Sequence, residues 1–408
     1  MIKRLFVAWL LAALVAAVLI TACKKGPEPQ ARGDAAPGSG GSDKAVYITK
    51  TIAGKEKVSL SFDLAAVPKP ESPAAFAQAF HFPPLEQGNT GTCWCFSTTS
   101  FLESELKRLG KGEHDLSELF PVYWEFVEKA RRFIRMKGDS FLGDGSEPHS
   151  AIERIYQYGI VRASDYSGLL PGKTAHDHDQ LLKEFREYLE SCRSRQDWDE
   201  EKALAGVRAI LDKHLGKPPD KINLDGKELT PKEYLESSLG LNLSDYVSVM
   251  SFLYLPFYTR GEYKVPDNWW HDAGYYNVPL DEFYEALAGA LGKGFSAVLA
   301  ADFSEPGYSG ENDIAVVPSF DIPQGFIDQS SREFRFSNKT STDDHAVHCV
   351  GFKEGRGHAW FLIKDSWKNA WWGTHKGYFF YRDDYIRVKV LAFMTHKDAI
   401  PELLAKFI

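Results

Sequence analysis

The chain has 408 residues, 44% of them hydrophobic and 13% aromatic, and 48 Lys and Arg against 56 Asp and Glu give a formal net charge of −8. That length and apolar content suffice for one large core or two modest ones. Basic residues are interspersed and form no run beyond pairs, which excludes a nucleic-acid partner held by phosphate contacts.

At the N-terminus Lys3 and Arg4 precede an apolar run from Leu5 to Ile20, on the short side for a stable span, that closes Ile20, Thr21, Ala22 before Cys23. This ending, L-I-T-A-C, resembles the bacterial lipoprotein signal, in which the peptide is cut before the cysteine and the thiol is lipidated. The resemblance implies a signal peptide over 1–22, lipidation at Cys23, and a lipid-anchored location in the bacterial cell envelope, facing the periplasm or the exterior. A plain transmembrane anchor is the alternative, and it too places the remainder outside the cytoplasm. Removing Lys3 and Arg4 takes the net charge from −8 to −10, which suits a domain held near an anionic surface without adhering to it.

Residues 23–45 are rich in Gly, Pro, Ser and Ala with no apolar period and read as a disordered tether. Arg32, Gly33 and Asp34 spell an adhesion tripeptide, which in so biased a linker carries no function. Alternation at Ala45 to Ile48 and at Val58 to Phe62 predicts two short strands where the folded part begins. Next comes GNTGTCWCFSTTS, Gly88 to Ser100, followed by Phe101, Leu102 and Leu106 at helical spacing and Gly110 as a stop, so Cys93 is expected at the first turn of a buried helix. A second amphipathic helix, SAIERIYQYG, ends at Gly159. Charged helical stretches fill 165–291, broken at Pro218, Pro219 and Gly226, with a capping-box start at Thr230, Pro231, Lys232 and Glu233. FSAVLAADF, HAVHCVGF, HAWFLIKDSW and GYFFYRDDY are aromatic and β-branched runs between turns, which predicts an antiparallel sheet for the last third. Helices first and sheet last make an α+β chain.

A thiol at a helix N-terminus meets the positive end of the dipole and unpaired backbone N–H groups, which favours the nucleophilic thiolate. Cys93 is placed for that, whereas Cys95 points to another side of the helix. A thiolate nucleophile needs an imidazole and a third group that holds its tautomer; His345 and Asp365 lie on strand-like runs. Gln87, in the preceding loop, can offer its side-chain amide beside the Cys93 N–H to a developing oxyanion.

The segments Q-G-N-T-G-T-C-W-C-F, H-A-V-H-C-V-G-F and K-D-S-W, with W-G-T-H-K-G-Y after them, resemble in order the three signatures of papain-like cysteine peptidases. The resemblance implies a two-lobe α+β fold with a helical lobe and a barrel-like antiparallel sheet lobe over 46–408. It also implies Gln87 as oxyanion donor, Cys93 as nucleophile, His345 as base and acid, Asp365 as the residue orienting the imidazole, and Trp367 as an aromatic lid. His345 follows Cys93 by 252 residues, against about 130–150 in papain itself, so roughly a hundred residues are inserted. GDGSEPHSAIERIYQYGIVRASDY, TPKEYLESSLGLNLSDYVSV and FSAVLAADF resemble the bleomycin hydrolase and aminopeptidase C branch, which carries a helical insertion. By position Gly145 and Ser146 would line the non-primed cleft, where an extended peptide pairs in strand fashion. The implied partners are peptide or protein substrates and the membrane lipid, with no cofactor and no metal; branch members form hexameric rings, so an oligomer is possible.

Four departures matter. Asp365 stands where the family usually has Asn, and a carboxylate is expected to raise the imidazolium pKa. Ser146 replaces a glycine common in the cleft and is expected to narrow it. After PELLAKF the chain is expected to lack the arm that restricts the branch to N-terminal residues, which leaves aminopeptidase and endopeptidase action both open. The lipoprotein signal argues against transferring a cytoplasmic role. Beyond Cys23 the cysteines show no paired framework: Cys95 and Cys349 are expected to be buried thiols, and the interval before Gln87 is too short for an inhibitory propeptide. Three readings compete: a zinc set from Cys93, Cys95, Asp344, His345, His348 and Cys349, which leaves Gln87, Trp94 and KDSW unexplained; an inactive peptidase-like binding module; and an envelope cysteine peptidase acting on peptidoglycan peptides. His348 is expected to be a satisfied sheet histidine, and Trp371 with Trp372 to be core packing.

Overall fold

The computed structural model describes residues 45–52 and 55–407. The chain begins with the two expected strands, β1 (Ala45–Ile52) and β2 (Lys55–Phe62), paired antiparallel as a hairpin of their own. The signal, Cys23 and nearly all of the tether lie outside the described residues. Among the described residues no helix is long and apolar enough to cross a membrane.

The helical lobe is built on α1 (Cys93–Arg108), with α2 (Leu119–Arg135), α3 (Pro148–Tyr158), α4 (Asp179–Arg195) and α5 (Glu200–Leu215) around it. The sequence of α1 is a poor helix former, rich in Ser and Thr that compete for backbone groups. The competition is resolved inside the helix: Ser97 Oγ donates to the Cys93 carbonyl at 2.8 Å and Thr98 Oγ1 to that of Trp94 at 2.7 Å. Phe101, Leu102 and Leu106 are fully buried, so tertiary packing supplies the stability that propensity does not. At the end of α3, Gly159 takes a φ of +81°, and an added Cβ there would lie 2.2 Å from the Pro231 backbone. Pro231 follows the predicted capping box, which is present: Thr230 Oγ1 accepts from Glu233 N–H at 3.2 Å and the Glu233 carboxylate from Thr230 N–H at 2.8 Å.

The helical run expected over 165–291 is interrupted. A small hairpin lies at Ile222–Leu224 and Lys227–Leu229, and Tyr246–Met250, Thr259–Gly261 and Tyr275–Asn277 are strands of the large sheet. YVSVM is β-branched and aromatic, and the 253–274 segment carries Pro256, Gly261, Pro266 and Gly274, which break helices. Helix resumes at Leu280–Gly292.

Among the described residues the main sheet has eleven strands. Its centre is formed by Ala297–Ala301, His345–Lys353, Trp360–Lys364 and Tyr378–Arg382, the four runs predicted from sequence. A fifth strand, Val390–His396, pairs antiparallel with both Ala297–Ala301 and Tyr246–Met250 and joins the insertion to the sheet. Its residues VLAFMTH are all buried, so it lacks the alternation that marks a half-exposed strand. The sheet is not purely antiparallel: Ile314–Ala315 pairs parallel with Phe380–Tyr381, and Val249–Met250 with Tyr276–Asn277. α1 packs against the His345–Lys353 strand, with Ser100 Oγ 2.9 Å from His348 Nδ1 and Phe101 edge-on to the same ring. Trp371 packs on the sheet-lobe core, whereas Trp372 is 60% exposed and is not core.

Candidate active site

The interface of the two lobes opens into a cleft of about 510 Å³, lined by Gln87, Cys93, His345 and Trp367 among others. The loop before α1 is fixed from both sides. The Gln87 backbone N–H donates to the Ser366 carbonyl at 2.8 Å; its side-chain Nε2 donates to the Thr90 carbonyl at 2.7 Å and its Oε1 accepts from Ser366 Oγ at 2.6 Å. This sets which way the amide nitrogen faces. Gly88 has a φ of +71°, and an added Cβ would lie 2.3 Å from the His176 carbonyl oxygen, so only glycine fits there. Gly91 N–H donates to Asp144 Oδ2 at 2.6 Å, and the indole N–H of Trp94 to the Asp144 carbonyl at 3.2 Å.

Cys93 is the first residue of α1 and is partly exposed in the cleft. The Thr92 carbonyl takes the N–H groups of Cys95 and Phe96, and the Cys93 N–H, the first of the helix, has no acceptor inside it. His345 stands at the start of its strand with Nε2 2.8 Å from Asp365 Oδ1, and a second hydrogen bond joins the ring to Cys93. Asp365 Oδ1 also accepts from Trp367 N–H at 2.8 Å, and Oδ2 from the Tyr308 hydroxyl at 3.2 Å. Burial opposes a charge on His345, but the Asp365 carboxylate and the charge on Cys93 outweigh it and raise the pKa from 6.5 to about 10. Trp367 lies edge-on to His345 with ring centroids 6.4 Å apart; Phe303, not anticipated, is closer at 4.1 Å.

Cys93, His345, Asp365, Gln87 and Trp367 thus come together as expected from sequence. Gly145 and Ser146 do not line this cleft, although Asp144 does. The Ser146 side chain does not narrow the cleft: it is buried, with Oγ donating to Glu125 Oε1 at 2.8 Å and accepting from the Trp269 indole at 3.2 Å. Asp144, Asp179, Ser304 and Asn89 are lining residues to which the sequence assigned no role, and Asp344, considered there only as a zinc ligand, lines the cleft as well; the G-D-G context of Asp144 was the one available signal.

Among the described residues no group of three or more His, Cys, Asp or Glu is placed to hold a metal. Cys95 is buried with its thiol donating to the Glu118 carbonyl at 3.0 Å, and burial pushes its pKa well up. Cys349 is also fully buried and its thiol likewise pushed up by burial. His348 is only half satisfied: Nδ1 meets Ser100, Nε2 finds no partner among the described residues, and burial holds the ring neutral.

Comparison with known proteins agrees with this geometry. The profile of the Peptidase C1-like family matches residues 75–408. Aminopeptidase C of Lactobacillus helveticus is 23% identical over 371 residues, covering 79% of this chain and 81% of that one. Aminopeptidase C of Lactococcus lactis subsp. cremoris is 23% identical over 362 residues, covering 78% and 82%. The crystal structure of PepW from Lactobacillus rhamnosis superposes with a TM-score of 0.62 at 20% identity over 85% of each chain, which shows a shared papain-like α+β fold. With Cys93 and His345 in one cleft and the Asp365 carboxylate buried behind the histidine, the chain belongs to the Peptidase C1-like family and is a cysteine-type peptidase.

Proposed function

We propose that the protein is a lipid-anchored cysteine peptidase of the cell envelope that removes residues from the N-termini of peptides. The observation that carries the catalytic part is the chain of hydrogen bonds from Cys93 through His345 to Asp365 at the wall of the cleft. The Cys93 sulfur attacks the peptide carbonyl; the oxyanion is received by the Cys93 N–H and the Gln87 amide. His345, kept protonated by Asp365, gives its proton to the leaving amine, and then takes one from the water that hydrolyses the thioester. Trp367 and Phe303 keep bulk water from the imidazole–carboxylate pair. The N-terminal action is supported by the relatives, named Aminopeptidase C, that match over most of their length. The anchor is supported by the L-I-T-A-C sequence ending at Cys23.

Turnover of aminoacyl coumarylamides by the full-length chain tests the catalytic assignment. Cys93→Ala and His345→Ala variants that fold normally are expected to lose it. Retention of turnover by Cys93→Ala would overturn the assignment.

A further inference from the structure

Residues 262–274 form a loop that lies along the segment running from Asp144 into α3, and its contacts follow that segment residue by residue. A Cβ added to Gly145 would meet the Asp267 carboxylate, 2.5 Å from Oδ2 and 2.7 Å from Oδ1. Trp269 donates its indole N–H to Ser146 Oγ at 3.2 Å. Just past the loop, the Tyr275 hydroxyl meets His149 Nδ1 at 3.1 Å and Glu147 Oε2 at 3.5 Å. From the opposite wall Asp343, two residues before His345, shares a hydrogen bond with Glu147 and accepts from the Tyr263 hydroxyl at 3.0 Å. Two carboxyl groups so joined hold one proton between them. Burial agrees with this, raising Glu147 to about 7 and Asp343 well above the usual carboxylate range. The Glu147–Asp343 pair therefore joins the segment that follows Asp144 to the one that precedes Asp344, with Trp269 packed on Ser146 beside it.

Asp267 stands beside this bridge, near enough for its charge to act on both carboxyl groups. Gly145, lacking a Cβ, leaves it room, and the charges of Lys129, Asp144 and Asp344 act on it in turn. Both neighbours are engaged: Asp144 accepts from the Gly91 N–H and meets His178, and Asp344 accepts from the Phe303 N–H and the Ser304 hydroxyl. Lys129, the cation whose charge acts on Asp267, donates to the carbonyls of Gly143 and Gly145. Among the described residues no hydrogen bond or ion pair engages the Asp267 carboxylate. The cleft lining itself holds Asp144, Asp179 and Asp344 and neither Lys nor Arg.

We propose that Asp267 anchors the free α-ammonium of the peptide substrate, and that the 262–274 loop limits how far a substrate extends on the N-terminal side of the scissile bond. An ammonium supplies the hydrogen-bond donors that the Asp267 carboxylate lacks and adds positive charge where Lys129 alone faces Asp144, Asp267 and Asp344. A longer or blocked N-terminus runs into Trp269 and the Glu147–Asp343 bridge. The assignment rests on the peptidase reading and deepens it by naming the residue that selects the substrate end.

The test uses the full-length chain with alanyl, N-acetylalanyl and N-acetylarginyl coumarylamides. The wild type is expected to cleave the free amine and to reject both acetylated compounds. Asp267→Asn is expected to lower kcat/KM for the free amine on the order of ten- to a hundredfold, the usual worth of a charge-assisted hydrogen bond, with most of the change in KM. Asp267→Glu, which keeps the charge, recovers part of the loss, and iodoacetamide still alkylates Cys93 in every variant, which separates loss of the anchor from loss of the fold. An unchanged kcat/KM in Asp267→Asn overturns the proposal, as does cleavage of N-acetylalanyl substrate by the wild type. Cleavage of the N-acetylarginyl compound alone overturns it by showing that the carboxylate takes a side chain. Cleavage of none of the three, with Cys93 inert to alkylation, takes down the peptidase reading and this proposal with it.

Discussion

Replacement of Asp365 by Asn leaves an acceptor 2.8 Å from His345 Nε2 but removes the charge behind it. Asp365 is the largest influence raising the His345 pKa from 6.5 to about 10, against a burial that works the other way. A hydrogen bond to a charged group is worth about 1.5–3 kcal/mol and to a neutral one about 0.5–1.5, so the exchange loses about 1–1.5 kcal/mol, which at about 1.4 kcal/mol per pH unit is about one unit. The alkaline limb of kcat/KM, where the imidazolium loses its proton, is therefore expected to move down in pH by about one unit in Asp365→Asn. Stability carries the same signature. A histidine whose folded pKa exceeds its unfolded value contributes stability that is complete below pH 6.5 and is lost as pH rises toward about 10. The variant is expected to show a weaker decline across that window. Rate profiles with a free-amine coumarylamide and urea midpoints at matched pH values measure both, with far-ultraviolet circular dichroism as the control for folding. Superimposable alkaline limbs would refute the reasoning that the carboxylate charge holds the proton on His345.

Three further outcomes are expected. Gln87→Ala removes one of two oxyanion donors and is expected to lower kcat on the order of 10²–10³-fold with a smaller change in KM; an equal kcat would remove Gln87 from the mechanism. Glu147, raised from 4.5 to about 7, holds a proton in the folded state that the unfolded chain releases, so wild-type stability is expected to fall as pH rises from 4.5 to about 7. Glu147→Gln, measured by urea midpoints at pH 5 and pH 8, is expected to flatten that dependence. Cys23→Ala, expressed in a bacterial host, is expected to move the protein from the membrane pellet to the soluble fraction; unchanged pelleting would argue for a membrane-spanning anchor.

The residues that meet in the cleft were legible because nucleophilic chemistry restricts its candidates to few residue types in a fixed local context. Cys93 follows a loop of small residues and opens an apolar-periodic helix, and His345 and Asp365 sit on strand-like runs, so their meeting needed only the fold. What decides the shape of the cleft was harder to see. Ser146 was expected to project into the cleft, but Glu125 and Trp269, 21 and 123 residues away, draw its hydroxyl inward. Phe303 closes a predicted strand, and nothing local signals that its ring sits on His345. The insertion appeared helical to residue 291 because Asp, Glu and Lys dominate its first half, although YVSVM at Tyr246–Met250 is locally β-prone; its partner Val390–His396 is a wholly buried run with no alternation. Long-range partners, rather than local propensity, decided the places of Ser146 and Phe303.

Treatment of the full-length chain with the thiol-directed epoxide E-64, followed by peptide mapping, tests the central claim most directly. One adduct on Cys93, none on Cys95, Cys192 or Cys349, and loss of aminoacyl coumarylamide cleavage in step with labelling is the predicted result. An unlabelled Cys93 in a folded chain that turns over no peptide substrate would contradict it.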